Sequence, residues 1–292
     1  MIRIRNYAGA LAALAFFLPL GACQQAPAPV AVAQSAPVEH QRLLPLEGGN
    51  NFRDLGGYRA VDGRTVKWGV LFRSGAMNGL TDADFAYLRK LGIATVCDFR
   101  DNRERSQAPV HWPVEGMPHV FAKDYSMNIG AMIQTLTAPG LTGEKTAAMM
   151  ADLYRGLPYD FADQYRTMFA QLLAHRVPLA FNCSAGKDRT GVAAALVLTA
   201  LGVPRETVFE DFLLSNQYYD PTKGAQGNSA EAKFWLSLPD DVRKALMGVD
   251  RRYLEAAFDA IDKRSGGIDG YFKDELGLTP ADFVTLRNLY LE

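Results

Sequence analysis

Eleven residues, Phe181 to Gly191 (FNCSAGKDRTG), hold the side chains whose types and spacing could do chemistry. Cys183 and Arg189 are separated by five residues, and Thr190 and Gly191 follow. The run Val177–Phe181 before them is short and apolar, like a buried strand. The run Val192–Leu198 after them is rich in helix formers. A cysteine therefore sits at a strand tip, in a small-residue loop that feeds a helix. The amides of such a loop, aided by the helix N-terminus, bind an anion. The same positive end favours a thiolate. Arg189 can fork two oxygens of a bound phosphate, and Gly186 lets the loop turn tightly. Together these residues describe attack on phosphorus by sulfur.

The loop resembles that of the cysteine-dependent protein tyrosine phosphatase superfamily. The fuller likeness is to its bacterial tyrosine-phosphatase-like family, whose loop reads H-C-x-A-G-K-D-R-T-G. Asn51–Gly57 (NFRDLGG), Phe72–Gly75 (FRSG), Asp98–Arg100 (DFR) and Asp211–Asn216 (DFLLSN) also resemble that family's segments, in its order. The likeness covers residues 43–292. It implies a metal-independent, protein-tyrosine-phosphatase-like phosphomonoester hydrolase working through a phosphocysteine, without a cofactor, on phosphorylated protein or phosphoinositides, and leaves dual specificity and phosphoinositide activity open. One residue departs from the pattern: Asn182 stands where the family usually has histidine. A neutral amide can hold the loop but adds no positive charge.

In this reading Cys183 is the nucleophile. Ser184, Ala185, Gly186, Lys187, Asp188 and Arg189 cradle the phosphoryl group. Thr190 either donates its hydroxyl to the Cys183 sulfur or caps the helix. Leaving-group protonation needs an acid; the resemblance puts Asp188 first and Asp98 second. Lys187 either meets further phosphates of a polyphosphorylated substrate or faces solvent. Arg53 and Arg100 are expected to form an ion-pair scaffold around the loop. Two readings compete with hydrolysis: a rhodanese-like sulfurtransferase, against which the Arg-Thr-Gly loop end argues, and a phosphate-binding module that is inactive.

The elements that position these residues are legible in outline. Phe52–Tyr58 and Val70–Phe72 read as strands around an Asp62-Gly63 turn. Thr81 starts a helix whose apolar face is Phe85, Leu88 and Leu91, and a strand through Cys97 follows. Asp160–His175 reads as a helix with Phe161, Tyr165, Met168, Phe169, Leu172 and Leu173 on one face. Pro204 is expected at the first position of the helix after the loop helix. Further helices are expected at Glu231–Leu236, Asp240–Met247, Arg251–Lys263 and Pro280–Leu291. The segment 126–158 carries apolar residues in a broken period and reads as an inserted, mobile helical lid. The fold expected is α/β, a PTP-like and mainly parallel central sheet flanked by helices.

The chain has 292 residues, 48% of them hydrophobic, and a formal net charge of −1, which leaves no basic footprint for nucleic acid. Residues 1–22 read as a signal peptide, with Arg3 and Arg5 before an apolar stretch from Ala8 to Leu20 that is too short to span a membrane comfortably. Leu20-Gly21-Ala22-Cys23 resembles a lipoprotein processing site, with Cys23 as the lipidated residue. Residues 23–42, rich in Ala, Pro, Val and Gln, read as a tether, and residues 43–292 as the catalytic domain. The expected location is thus outside the cytoplasm of a bacterium, on a membrane by a lipid anchor. Gln24 favours the outer membrane by resemblance to enterobacterial sorting. Of the three cysteines, Cys97 is either an inert core thiol or a resolving partner for oxidised Cys183. The four histidines show no ligand spacing, and no metal site is expected.

Overall fold

The computed structural model describes residues 40–127, 130–223 and 230–292. The signal peptide, Cys23 and almost all of the tether lie outside the described residues. In chain order the elements are β1 (Arg53–Asp54), β2 (Leu71–Ser74), α1 (Asp82–Lys90), β3 (Thr95–Asp98), α2 (Asn102–Gln107), β4 (His119–Ala122), α3 (Gly130–Leu136), α4 (Gly143–Asp160) and α5 (Ala162–Leu173), then β5 (Leu179–Asn182), α6 (Arg189–Ala200), α7 (Arg205–Leu213) and α8 (Ser215–Tyr218), and finally α9 (Ala230–Ser237), α10 (Asp240–Met247), α11 (Arg251–Ser265), α12 (Ile268–Asp274) and α13 (Pro280–Tyr290).

The strands form one sheet in the order β1-β2-β5-β3-β4. Only β1 runs antiparallel; β2, β5, β3 and β4 are mutually parallel. Every residue of β2, β3 and β5 is buried, as expected for parallel strands covered on both faces. Successive side chains alternate between two cores. Leu71, Cys97, Leu179 and Phe181 face the core built by α4, α5, α6 and α11. Phe72, Val96 and Ala180 face a smaller core with Phe52 and Leu88 of α1. Ser74 and Asp98 both register with Asn182, so three strand ends finish level, one residue before Cys183. That is where parallel sheets place their sites.

Local signals account for most boundaries. Thr81 and Asp84 form a capping box that starts α1, and Asp101 and Glu104 form another that starts α2. α6 is buried at every residue but Thr199, which fits its run of Ala, Val and Leu through the centre of the domain. Pro204 is the N-cap of α7 rather than its first helical residue, one position earlier than expected. The first expected strand shrinks to the two residues of β1. β4 was not foreseen: it is an edge strand with three of its four residues exposed, and so has no two-faced apolar run to read.

The 126–158 segment differs most from expectation. Asn128 and Ile129 lie outside the described residues, and the described remainder falls largely into α3 and α4. α4 is a continuous helix that buries Thr146, Ala147, Met150, Tyr154 and Leu157. A helix locked into the main core in this way is scaffold and not a lid.

Candidate active site

The loop after β5 crosses directly over the end of β2. Ala76 N–H donates to Ser184 O at 2.9 Å. Gly186 has φ 68°, and a Cβ there would lie 2.4 Å from both Gly75 N and Ser74 C. No other residue fits that crossing. Beneath the loop, the Gly186 carbonyl accepts from Arg73 Nη2 and Asn51 Nδ2, each at 2.9 Å. These donors are themselves fixed. Asp211 accepts from Arg73 Nη1 at 2.6 Å and from Arg53 Nε at 3.2 Å, and Arg53 also bonds the Asn51 side chain. Burial works to raise the Asp211 carboxyl, but the charges and bonds of Arg53 and Arg73 outweigh it and hold it at about 2. Burial, then Arg73, lowers Arg53 to about 10. Arg53 is fully buried, so it braces the loop from below. Arg73, Asp211 and Asn51 share that task. They lie in the segments that resemble the family, but nothing local in the sequence pairs them.

Cys183, 1% exposed, stands at the tip of β5, and Arg189 opens α6. The guanidinium of Arg189 meets Glu104 edge to edge: Nη1 donates to Oε2 at 2.7 Å and Nη2 to Oε1 at 2.6 Å. Nη1 also faces Phe99 O at 3.0 Å and the Tyr125 hydroxyl at 2.8 Å. The Nε edge bonds none of the described residues, and a guanidinium can offer that edge, with the second Nη2 hydrogen, to two phosphate oxygens. Burial lowers the Arg189 pKa, but the Glu104 bonds and the charge of a Cys183 thiolate raise it well above the ordinary value. Glu104 is raised by burial and, more strongly, lowered to about 2 by Arg189 and Ser184. Glu104 was missed in the sequence. Its D-x-x-E spacing marks it as a capping residue, and nothing there points to Arg189, 85 residues away.

Asp188 is the N-cap of α6, yet its side chain makes no capping bond. Instead Oδ1 accepts from Tyr154 Oη at 2.8 Å and from Lys187 Nζ at 2.8 Å. Lys187 is 4% exposed, so it faces the interior and not solvent. Asp98 is differently placed. Its oxygens accept from Arg100 Nε at 3.0 Å and Nη2 at 2.7 Å, and from Asn182 Nδ2 at 3.1 Å. Asn182 thus ties two neighbouring strand ends together, and Arg100 is committed to Asp98 and the Ala108 carbonyl. The Thr190 hydroxyl is buried and has no hydrogen-bond partner among the described residues, so it bonds neither the Cys183 sulfur nor the helix end.

Cys97 lies on β3 opposite Phe181, two residues short of Cys183. Strand spacing and rise put their Cα atoms on the order of 8 Å apart, beyond disulfide reach without backbone movement. Burial, then Asp98, pushes its thiol up to about 12. Both cysteines are free thiols.

The site pairs its charges: Arg189 with Glu104, and Lys187 with Asp188. The cradle for an anion is then the loop amides, the α6 N-terminus and the free edge of Arg189. No group of three or more His, Cys, Asp or Glu among the described residues is placed to hold a metal ion.

The model of the tyrosine phosphatase family matches residues 44–292. A protein of Cupriavidus necator named for tyrosine-protein phosphatase activity is 34% identical over 268 residues, covering 88% of this chain and 91% of its own. The triple specificity protein phosphatase PtpB of Mycobacterium tuberculosis is 31% identical over 275 residues, covering 84% of this chain and 98% of its own. The crystal structure of P. aeruginosa TpbA in complex with pTyr spans 66% of this chain and 90% of its own at 16% identity, with a TM-score of 0.33. Glu104, Tyr154 and the Arg73–Asp211 brace all lie within the matched span. The chain belongs to the tyrosine phosphatase family.

Proposed function

We propose that this cysteine-dependent phosphatase works in two steps through Cys183. The thiolate attacks phosphorus in line, the S–P bond forms and the P–O bond breaks. The electron pair goes to the leaving oxygen, which takes a proton from Asp188. Water then attacks the phosphocysteine, gives its proton back to Asp188, and returns the thiolate with release of phosphate. Arg189 and the amides of Ser184, Ala185, Gly186, Lys187, Asp188 and Arg189 stabilise the equatorial oxygens at each step. The observation that carries this reading is the Nε edge of Arg189, which bonds none of the described residues while Glu104 takes the adjacent Nη1/Nη2 edge. Asp188 is preferred over Asp98 as the acid because Asp188 keeps one oxygen unbonded, while both Asp98 oxygens accept from Arg100. Cys183→Ser should abolish turnover while keeping vanadate binding. Near-normal turnover in that variant would sink the mechanism.

The substrate range proposed is wider than phosphotyrosine. The Mycobacterium tuberculosis relative is named for triple specificity. Phosphoinositides are part of the proposed range, although Lys187, buried and paired with Asp188, is not placed to meet a second phosphate. Phosphate release from phosphotyrosine, phosphoserine and phosphothreonine peptides and from phosphoinositides, in chelator, tests the range. Activity confined to phosphotyrosine would reject it.

The protein is further proposed to be an exported lipoprotein anchored through Cys23, on the strength of the N-terminal sequence alone. Cys23→Ala should move it from the membrane to the soluble fraction with full activity. Membrane retention would reject the anchor.

A further inference from the structure

Tyr154 reaches the site from α4, far outside the loop in sequence, and is fully buried. Its ring is wedged between Phe212 of α7, with centroids 5.8 Å apart, and Tyr253 of α11, at 5.5 Å. A ring gripped on two sides in a close-packed core holds its hydroxyl in one place. That hydroxyl donates to Asp188 Oδ1 at 2.8 Å, and Lys187 Nζ donates to the same atom at 2.8 Å. A carboxylate oxygen offers two lone pairs, so Oδ1 is filled and has no room for a proton. Oδ2 bonds none of the described residues. The Asp188 side chain is 22% exposed against 5% for Lys187, so it is the member of the pair that reaches the opening. Burial first, then the charge of Asp188, pushes the Tyr154 phenol well above its ordinary value, so it stays a donor.

We infer that Tyr154 is the positioning residue of the general acid: with Lys187 it confines the Asp188 proton to Oδ2. This rests on the reading of Asp188 as the acid. When the leaving oxygen takes that proton, the carboxylate that remains is met by two donors already in place, which is how a fixed dipole favours a transition state. Water in the second step returns the proton to the same oxygen. The other ionisable groups near Asp188 do not interfere. Tyr219 is pushed to about 12, chiefly by burial, then by Asp188 and Cys183. Tyr253 on α11 is pushed to about 12, by burial and then Asp250. Among the described residues, Lys187 is the only cation bonded to Asp188.

Tyr154→Phe keeps the ring and deletes the donor. On tyrosine or alkyl phosphate its plateau kcat should fall about 10-fold or more, with less than about a 3-fold change on an activated aryl phosphate, because an acid matters only for a poor leaving group. The basic limb of kcat should also move to higher pH, since a donor that stabilised the carboxylate is gone. In an Asp188→Asn background, Tyr154→Phe should add nothing. Should Tyr154→Phe lose its fold, judged by its melting temperature, 3-fluorotyrosine at 154 tests the same point in reverse: a stronger donor moves the basic limb to lower pH. Equal losses on both substrates, an unmoved limb, or a full effect in the Asp188→Asn background would overturn the role of Tyr154 while leaving the acid in place. Absence of leaving-group dependence in Asp188→Asn itself would remove the acid reading, and the positioning role with it.

Discussion

Glu104 grips Arg189 on the Nη1/Nη2 edge of its guanidinium, with Nη1–Oε2 at 2.7 Å and Nη2–Oε1 at 2.6 Å, and leaves the adjacent Nε edge open. The contact resembles the fork an arginine makes with phosphate, but it uses the Nη1/Nη2 edge and spares Nε. It orients the cation without blocking it. Capping of α2 fixes Glu104 in turn, because its Oε2 accepts from Asp101 N–H at 2.8 Å. A short helix outside the signature loop thereby sets the direction of the phosphate-binding arginine.

Glu104→Gln should therefore cost activity without touching the nucleophile. The amide cannot pair both Arg189 nitrogens as acceptor, so the guanidinium loses its fixed direction. Misplacement of a binding group by about 1 Å costs on the order of 100-fold in rate, and a loss of that order in kcat/KM is expected. It should be the same for activated and poor leaving groups, since proton transfer is not involved. Vanadate affinity should fall in parallel. Unchanged vanadate affinity would mean that Phe99 O and Tyr125 hold Arg189 unaided.

Acid stability should carry the mark of Asp211. Its folded value of about 2 lies below the 3.8 of a free group: burial opposes this, and Arg53 and Arg73 produce it. A depressed carboxylate stabilises the fold fully above its unfolded value, near pH 4, and the stability is lost as pH falls toward 2. Glu104, lowered from 4.5 to about 2, adds to the same window. Asp211→Asn leaves two buried arginines without their carboxylate and should cost roughly 3–5 kcal/mol at neutral pH. It should also flatten the loss between pH 4 and 2 in urea-unfolding curves. An acid limb as steep as in the parent protein would show that other carboxylates govern it.

Much of this architecture is legible in the sequence, for definite reasons. Cys183, Arg189 and their loop are contiguous, so strand tip, anion cradle and helix start can be read together. α1 declares itself through its cap and apolar period, and α5 through its apolar period. The relationships that escape are those between distant residues. Arg73 and Asp211 are 138 positions apart, and Tyr154 and Asp188 are 34 apart. No spacing rule joins such pairs; only the packing of α4 and α7 against the loop does. The period of α4 is also obscured at Gly143 and Pro158, so a core helix reads as a mobile insert. β4 hides for the opposite reason, because an exposed edge strand needs little apolar pattern.

Cys97 should not rescue an oxidised Cys183. Its thiol is raised to about 12 by burial and then Asp98, so almost none is thiolate at neutral pH. The register of β3 against β5 also holds it out of disulfide range. After brief peroxide treatment, thiol reductant should restore the same fraction of activity in Cys97→Ser as in the parent. Recovery lost in Cys97→Ser, with a reducible Cys97–Cys183 disulfide in the oxidised parent that the variant cannot form, would give Cys97 the resolving role after all.

The two aspartates can be separated by the leaving group. An acid contributes most when the leaving oxygen is poor and least when it departs readily. Asp188 keeps Oδ2 unbonded, whereas Asp98 spends both oxygens on Arg100 and one also on Asn182. A carboxylate in that setting is an anchor. It holds the turn through Phe99, whose carbonyl meets Arg189. Asp188→Asn should then slow tyrosine or alkyl phosphate hydrolysis by about 100-fold or more, within the range a positioned acid supplies, and an activated aryl phosphate far less. Asp98→Asn should show a smaller loss that is uniform across leaving groups, because the orientation of Arg189 suffers equally for all of them. Steady-state kcat across a series of aryl and alkyl phosphates reads both variants at once. A steep dependence in Asp98→Asn with a flat one in Asp188→Asn would transfer the acid role to Asp98, and would require the Asp98–Arg100 pair to open when substrate binds.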